Sequence, residues 1–502
     1  MKFHTAVGGM IVYLLAIITV STVNSAENPR IIVIGAGAAG IAAASRLYQR
    51  GLKNITILEA SHRIGGRVAT TPFAGGVVEL GAQWCHGEKG NVVYELASAY
   101  PGLLEPSIVT DGATLVRSNG VRIDESTVLK VSTMANEIIT SVEREDFAGS
   151  LGDFFTERYW QTLQSDNEFS DIDRELAEQF LVFYHNYERG YAAYDTWFEV
   201  AANETDKYQE AEGNPTIAWN SEKGYSIILD IVSGNYLAAM NTTPTTPVPL
   251  NQLVTFDKFV SNIQWDGTSN QQVRVTTDDG SQYEAEHVVV TVPLGVLKEN
   301  HQAMFTPALP VINQQAITGI YFGTVNKIYL LFDKPIPEEL STSLSLLWYK
   351  SDLEALRRSK HAWTEAVSTL FRVDHQPNVL AAWLNGIEGR EAELLPDDVI
   401  QAGLVHLLSI FVGNLNFGNV QGVLRSKWSS NRLFRGSYSS RSMTTEKLGT
   451  GAKYLSTPLT DATNKPVVLF AGEATSRFQY STVHGAIESG FREADRLLKL
   501  YQ

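Results

Sequence analysis

A run of β-branched residues, Ile31-Ile32-Val33-Ile34, stops at the small-residue turn Gly35-Ala36-Gly37-Ala38-Ala39-Gly40. Ile41-Ala42-Ala43-Ala44-Ser45-Arg46-Leu47 follows with helical character, and a second strand-like stretch, Ile55-Thr56-Ile57-Leu58, ends on Glu59-Ala60. Strand, glycine turn, helix, strand and acid in this order make the βαβ dinucleotide fingerprint. Gly35 permits the tight turn, Gly37 lets backbone approach a pyrophosphate, and Gly40 lets the helix pack on the strand. The helix N-terminus then offers unbonded N–H groups and the positive end of its dipole to phosphates. Glu59 stands where a carboxylate accepts from ribose hydroxyls.

Beyond the acid come Ser61-His62-Arg63-Ile64-Gly65-Gly66-Arg67 and Val78-Glu79-Leu80-Gly81-Ala82-Gln83-Trp84. The glycines again admit close backbone approach, and Arg67 supplies a fixed cation for a further phosphate contact. Near the C-terminus stand Val468-Leu469-Phe470-Ala471-Gly472-Glu473-Ala474-Thr475 and Tyr480-Ser481-Thr482-Val483-His484-Gly485-Ala486. On these separated motifs, from about Asn28 to Leu498, the chain resembles the flavin amine oxidases, and most closely their polyamine oxidase branch. The resemblance implies non-covalently bound FAD, with Glu59 on the adenosine ribose, Arg67 near the phosphates, and Glu473 and Val483 at the ribityl and flavin end. It implies further cofactor contacts at Gly35, Gly37, Ala39, Gly40, Ala60, Gly66, Ala82, Gln83, Trp84, Val254, Trp428 and Thr482. The fold class expected is α/β: a discontinuous Rossmann-like FAD-binding domain with an α+β substrate-binding domain.

Composition narrows the partners. At 502 residues and 44% hydrophobic content the chain can bury a large core, split over two domains. A net charge of −15 disfavours nucleic acid, whose phosphates need clustered Lys and Arg. The same charge steers cationic ligands, although solubility alone also accounts for it. Lys2, the apolar stretch Val7 to Val23 and the small residues of Val23-Asn24-Ser25-Ala26 read as a secretory signal over residues 1–26, with a retained anchor as the alternative. A secreted, extracellular or secretory-pathway protein with no membrane span after signal removal is therefore expected, acting as a monomer. Sequons at Asn54, Asn203 and Asn241 are compatible with that, Asn54 least so because it abuts a predicted core strand. The single cysteine, Cys85, excludes an intrachain disulfide, and no metal site is expected. Lys499-Leu500-Tyr501-Gln502 offers no peroxisomal address.

Because the dinucleotide motifs sit at both ends of the chain, the FAD-binding domain is expected over residues 27–107, 215–303 and 425–502. The substrate domain takes 108–214 and 304–424. Gln272 to Gly280 alternates like a strand entering a tight turn, and His287 to Val292 reads as a buried strand stopped by Pro293. Leu250-Asn251-Gln252-Leu253-Val254 resembles the family's adenine-contacting segment. Ile172 to Phe183 carries an apolar face at helical spacing.

Lys327 lies inside the apolar strand pattern Val325-Asn326-Lys327-Ile328-Tyr329-Leu330-Leu331-Phe332, where a charge is costly unless it is paired or functional. An edge-strand lysine reaching solvent is the alternative. The resemblance implies that Lys327 holds a water against the flavin N5. It also implies that His86, after Trp84-Cys85, hydrogen-bonds a substrate nitrogen, and that Glu188 receives a distal ammonium. Tyr438 and Trp428 line a cage for the alkyl amine, Ser481 fixes the substrate's end group, and Thr482 stands beside it.

The reaction expected is oxidation of a polyamine at a carbon next to a secondary amine, with O₂ as final acceptor. It yields an aldehyde, a shorter amine and H₂O₂. The absence of a cysteine near the C-terminus closes the monoamine oxidase route, whose flavin is normally cysteine-linked. An L-amino-acid oxidase needs an arginine for the substrate carboxylate, for which Arg432 or Arg435 is available. A catalytically silent FAD-binding protein is the rival from another class.

Overall fold

The computed structural model describes residues 28–109, 114–203, 208–236, 246–265, 272–340 and 342–501. The signal expected over residues 1–26 and the sequon at Asn241 lie outside them. The four residues Ile31–Ile34 are each at most 3% exposed, the mark of a strand covered on both faces. They form the middle of a six-stranded sheet ordered Leu459–Thr460, Pro466–Phe470, His287–Val290, Ile31–Ile34, Ile55–Leu58, Val254–Thr255. All neighbours pair in parallel except the first two strands, which run antiparallel. Strands from three distant parts of the chain therefore share one sheet, which gives the α/β, Rossmann-like half its discontinuous form.

The helix Ala38–Gln49 packs against the terminal helix Val483–Tyr501 through small residues. A Cβ on Gly490 would fall 2.3 Å from the Ala39 carbonyl oxygen, so the approach needs glycine. The hairpin expected after Gln272 forms from Val273–Thr277 and Gln282–Ala285. The strand His287–Val290 stops before Pro293, and the helix Leu294–Met304 starts immediately after it.

A second six-stranded sheet is ordered Val420–Arg425, Val325–Phe332, Gln376–Asn385, Val367–Val373, Ser343–Leu347, Thr114–Arg117. It is antiparallel apart from its last pair. The strand Val325–Phe332 is interior, with Ile328, Leu330 and Phe332 in one core and Tyr329 in another on the opposite face. The expected helix runs on to Ala192, over Arg174–Ala192, and Asp173 accepts the Leu176 N–H at 2.7 Å to cap it.

Two expected division lines are not packing boundaries. Phe305, Leu309, Ala316, Ile317 and Ile320, beyond residue 303, join the core that covers the parallel sheet. The strand Val420–Arg425 crosses the line drawn at 424/425 and belongs to the second sheet. Among the described residues no helix is long and apolar enough to cross a membrane, and no group of three or more His, Cys, Asp or Glu could hold a metal ion.

Candidate active site

The glycine turn closes by steric necessity. Gly35 has φ +106°, and a Cβ on Gly40 would lie 1.9 Å from the Gly35 carbonyl oxygen. Gly37 behaves differently: a Cβ there would meet only the Gly65 carbonyl oxygen, at 3.9 Å, so open space lies over the helix N-terminus. No side chain caps that terminus. The Gly65–Arg67 loop leans against it, with Gly65 N–H donating to the Ala36 carbonyl at 2.8 Å and Gly66 close to Gly37. Glu59, 8% exposed, accepts the Ala36 N–H at 2.7 Å on one oxygen and Ser61 N–H and Oγ–H on the other. Ala60 is half-buried next to it, and Val254 pairs with Ile57 alongside. At Ala39 the side chain is buried and the carbonyl faces Gly490 of the terminal helix, so what it presents at the helix N-terminus is its backbone N–H.

The two ends of the chain meet at Arg67 and Glu473. The guanidinium donates to the Glu473 carboxylate and to the Ser437 carbonyl, both at 2.8 Å. The other Glu473 oxygen accepts Ser439 Oγ–H at 2.5 Å and Ser481 N–H at 2.9 Å. A narrow crevice opens here, against Arg67, Val290, Val292, Phe470, Gly472 and Glu473. It lies at the C-terminal ends of two parallel strands, where open α/β sheets bind ligands. A Cβ on Gly472 would meet nothing within 4 Å, so this backbone too borders open space.

Lys327 is 6% exposed. Its Nζ donates to the carbonyls of Glu79 (3.1 Å) and Gly81 (2.7 Å) and to Gln83 Oε1 (2.8 Å), and it sits 5.2 Å from the Trp383 ring centroid. Only an ammonium can donate to three oxygens at once. Burial pushes the lysine down to about 7, against the pull of Glu79, so the proton is held by geometry but easily surrendered. Burial likewise pushes the Glu79 carboxyl up to about 7, opposed by the Tyr225 N–H and Thr70 hydroxyl that donate to it. Residues 79–83 are gripped from every side. Tyr329 Oη–H donates to the Glu79 carbonyl at 2.7 Å, Trp428 Nε1–H to the Leu80 carbonyl at 3.2 Å, and Ala82 N–H to the Arg67 carbonyl at 3.1 Å. A Cβ on Gly81 would stand 1.7 Å from that same Arg67 oxygen.

His86 Nδ1 lies 2.7 Å from the Pro215 carbonyl, which can only accept, so Nδ1 carries the proton and Nε2 keeps a lone pair. Crowding around the ring lowers its pKa despite the residue's exposed edge, and the Pro215 bond only partly opposes this. Trp84 stacks obliquely on Trp383 at 5.5 Å, next to Lys327. Tyr438 donates to the Gly190 carbonyl at 2.8 Å, which ties its ring to the helix carrying half-buried Glu188 two residues earlier.

The Ser481 hydroxyl donates to the Ser439 carbonyl, so it has only lone pairs to offer a substrate. Thr482 takes a different part from the one expected of its hydroxyl. Its hydroxyl donates to the Gln479 carbonyl at 2.7 Å and accepts the Gly485 N–H at 3.0 Å, so it caps the terminal helix rather than facing a substrate. Val483 opens that helix and packs on the parallel-sheet core. Sequence reasoning passed over Trp383 and Glu79. Trp383 is the register partner of Lys327 on the next strand, a relation visible only once the strands are paired. Glu79 lies inside the motif from Val78 to Trp84, without a pattern marking it as the buried neighbour of the lysine.

A family described as flavin containing amine oxidoreductase matches residues 38–498. The human peroxisomal N(1)-acetyl-spermine/spermidine oxidase is 32% identical, over 94% of this chain and 96% of that protein. The probable polyamine oxidase 5 of Arabidopsis thaliana is 30% identical, over 95% and 99%. A solved putrescine oxidase, bound to putrescine, superposes with a TM-score of 0.66 at 17% identity over 94% of this chain and 99% of that one, a likeness of fold. The residues here fit a flavin: an uncapped helix N-terminus, open space over Gly37 and Gly472, and a crevice at the strand ends beside Arg67.

Proposed function

The chain belongs to the flavin containing amine oxidoreductases, and from that premise we propose that it oxidises polyamines at a carbon next to a secondary amine, using FAD held without a covalent bond and acting as a monomer. The observation that carries this reading is the buried Lys327 ammonium beside Trp84, Trp383 and residues 79–83. Gly35, Gly37, Gly40, Gly66 and Arg67 border the dinucleotide, Glu59 and Val254 its adenosine end, and Glu473 and Val483 its ribityl end. Trp428, Ala82 and Gln83 wall the ring. When bound, the flavin supplies the two-electron acceptor, with O₂ leaving as H₂O₂.

The substrate's reacting nitrogen must be neutral for the neighbouring carbon to give up hydride. His86 Nε2 accepts a hydrogen bond from a substrate nitrogen, Glu188 attracts a distal ammonium, and Tyr438 with Trp383 presents ring faces to the chain between them. Lys327 holds a proton at Nζ that burial makes available. An L-amino-acid oxidase is disfavoured by its two candidate arginines. Arg432 pairs with Asp278 at 3.0 Å and Arg435 with Glu299 at 2.7 Å, both at the surface.

Anaerobic mixing with spermine, spermidine, their N1-acetylated forms, putrescine and L-amino acids tests the reading. Flavin absorbance should bleach with the secondary amines and respond poorly to putrescine, which has none. Bleaching by amino acids and not by any polyamine overturns it, and no bleaching at all favours the silent FAD-binding protein.

We further propose that the protein is secreted, supported by the apolar stretch after Lys2 and by the exposed sequon residues Asn54 and Asn203. Expression in a secretory host should yield glycosidase-sensitive protein in the medium. Unglycosylated protein confined to the cell interior overturns that part.

A further inference from the structure

Glu393 is a buried carboxylate, 4% exposed, and among the described residues no cation pairs with it. The nearest strand guanidinium, that of Arg425, goes instead to Asp397 at 2.8 Å and to the Ala392 carbonyl at 2.6 Å. A buried charge without a counter-ion is sustained only by hydrogen bonds aimed at it. Glu393 has three. Oε1 accepts from Asn326 Nδ2 at 2.7 Å and from Ser429 N–H at 2.8 Å, and Oε2 accepts from Ser430 N–H at 2.6 Å.

These donors flank the site. Asn326 immediately precedes Lys327 and points to the other face of the same strand. Its Oδ1 accepts from Ser426 Oγ at 3.1 Å and from Trp428 N–H at 3.3 Å. Ser426 Oγ in turn accepts the Lys327 backbone N–H at 2.9 Å, and Ser426 N–H donates to the Lys327 carbonyl at 3.0 Å. Ser429 and Ser430 directly follow Trp428, whose indole holds the Leu80 carbonyl. One carboxylate thus grips both the backbone bearing Lys327 and the turn bearing Trp428, two of the side chains that hold residues 79–83.

We propose that Glu393 is a positioning residue for the redox site: through Asn326 and the Ser429–Ser430 backbone, it fixes Lys327 and Trp428 relative to residues 79–83. The proposal rests on the polyamine-oxidation reading for its kinetic consequence and on geometry alone for its structural one. A neutral glutamine of the same shape cannot replace the carboxylate, because its amide nitrogen would confront an N–H donor.

The test is Glu393→Gln and Asn326→Ala in the flavin-loaded protein. Glu393→Gln should retain flavin, shift the resting flavin absorbance and speed hydrogen exchange at the Ser429 and Ser430 amides by about tenfold or more. Anaerobic reduction by the best polyamine should slow by about tenfold, with KM changed by less than about twofold. Asn326→Ala should move in the same direction by less, and the double variant should fall short of the sum because one network is involved. Unchanged absorbance and reduction rate in folded Glu393→Gln overturn the proposal. If Glu393→Gln does not fold, Asn326→Ala decides by the same readouts, and failure of both to fold leaves Glu393 a structural residue only, which also overturns it. If no polyamine reduces the wild-type flavin, the functional reading fails by itself, and exchange and absorbance still judge Glu393.

Discussion

The glycine turn draws its strand, turn, helix and acid from one short stretch, Ile31 to Glu59, whereas the lysine pocket is assembled from Glu79–Gln83, Lys327, Trp383 and Trp428. The turn works by excluded volume: an added methyl group has nowhere to go at Gly40. The pocket works by burial, with a charge held among carbonyl oxygens and an indole face. Damage to the first should therefore cost fold and cofactor together. Damage to the second should cost rate while the fold survives.

Gly40→Leu is the harsher way to break that contrast. Its Cβ would press on the Gly35 carbonyl at 1.9 Å, so it should lose flavin and at least about 3 kcal/mol of stability, read by flavin content and thermal unfolding. A folded Gly40→Leu protein that keeps its flavin would dismiss the steric account of the turn.

Lys327→Met sharpens the other side. Flavin content should persist, while flavin reduction or reoxidation slows by at least about tenfold, or ~1.4 kcal/mol of barrier. A smaller effect should appear in stability against pH. The wild-type lysine is pushed down to about 7, so between that pH and its ordinary value near about 10.4 the unfolded chain binds a proton that the folded chain does not. Stability from this group therefore rises with pH across that window, and Lys327→Met should flatten the rise. Glu79, pushed up to about 7, acts below that window, where its contribution is lost as pH climbs from the ordinary carboxylate range. Unchanged rates with lowered stability would make Lys327 a packing residue.

The same contrast explains what could be read from the chain. Gly35, Gly37, Gly40 and Glu59 announce themselves because turn, helix and strand are consecutive, and local sterics dictate residue type. The interior strand around Lys327 was equally legible as a strand, from its apolar pattern. Its neighbours were not: Trp383 becomes a partner only through antiparallel register, and Glu393 only through a turn more than thirty residues away along the chain. Thr482 shows the converse. Its motif marked the right place, but a hydroxyl at the start of a helix is drawn to the unpaired backbone groups there before any ligand. The segment Phe305 to Ile320 is likewise assigned to the parallel-sheet half only by the core it joins.

The Arg67–Glu473 contact joins residues separated by 406 positions, and the helix Val483–Tyr501 closes directly on Ala38–Gln49. During synthesis, the first βαβ unit leaves the ribosome long before its partners exist. The parallel sheet then lacks Pro466–Phe470, the opening helix lacks its cover, and Arg67 lacks its carboxylate. The crevice beside Arg67 and Glu473 is thereby complete only in the finished chain, and the early strand Ile31–Ile34, apolar on both faces, waits without its full set of sheet partners through most of translation.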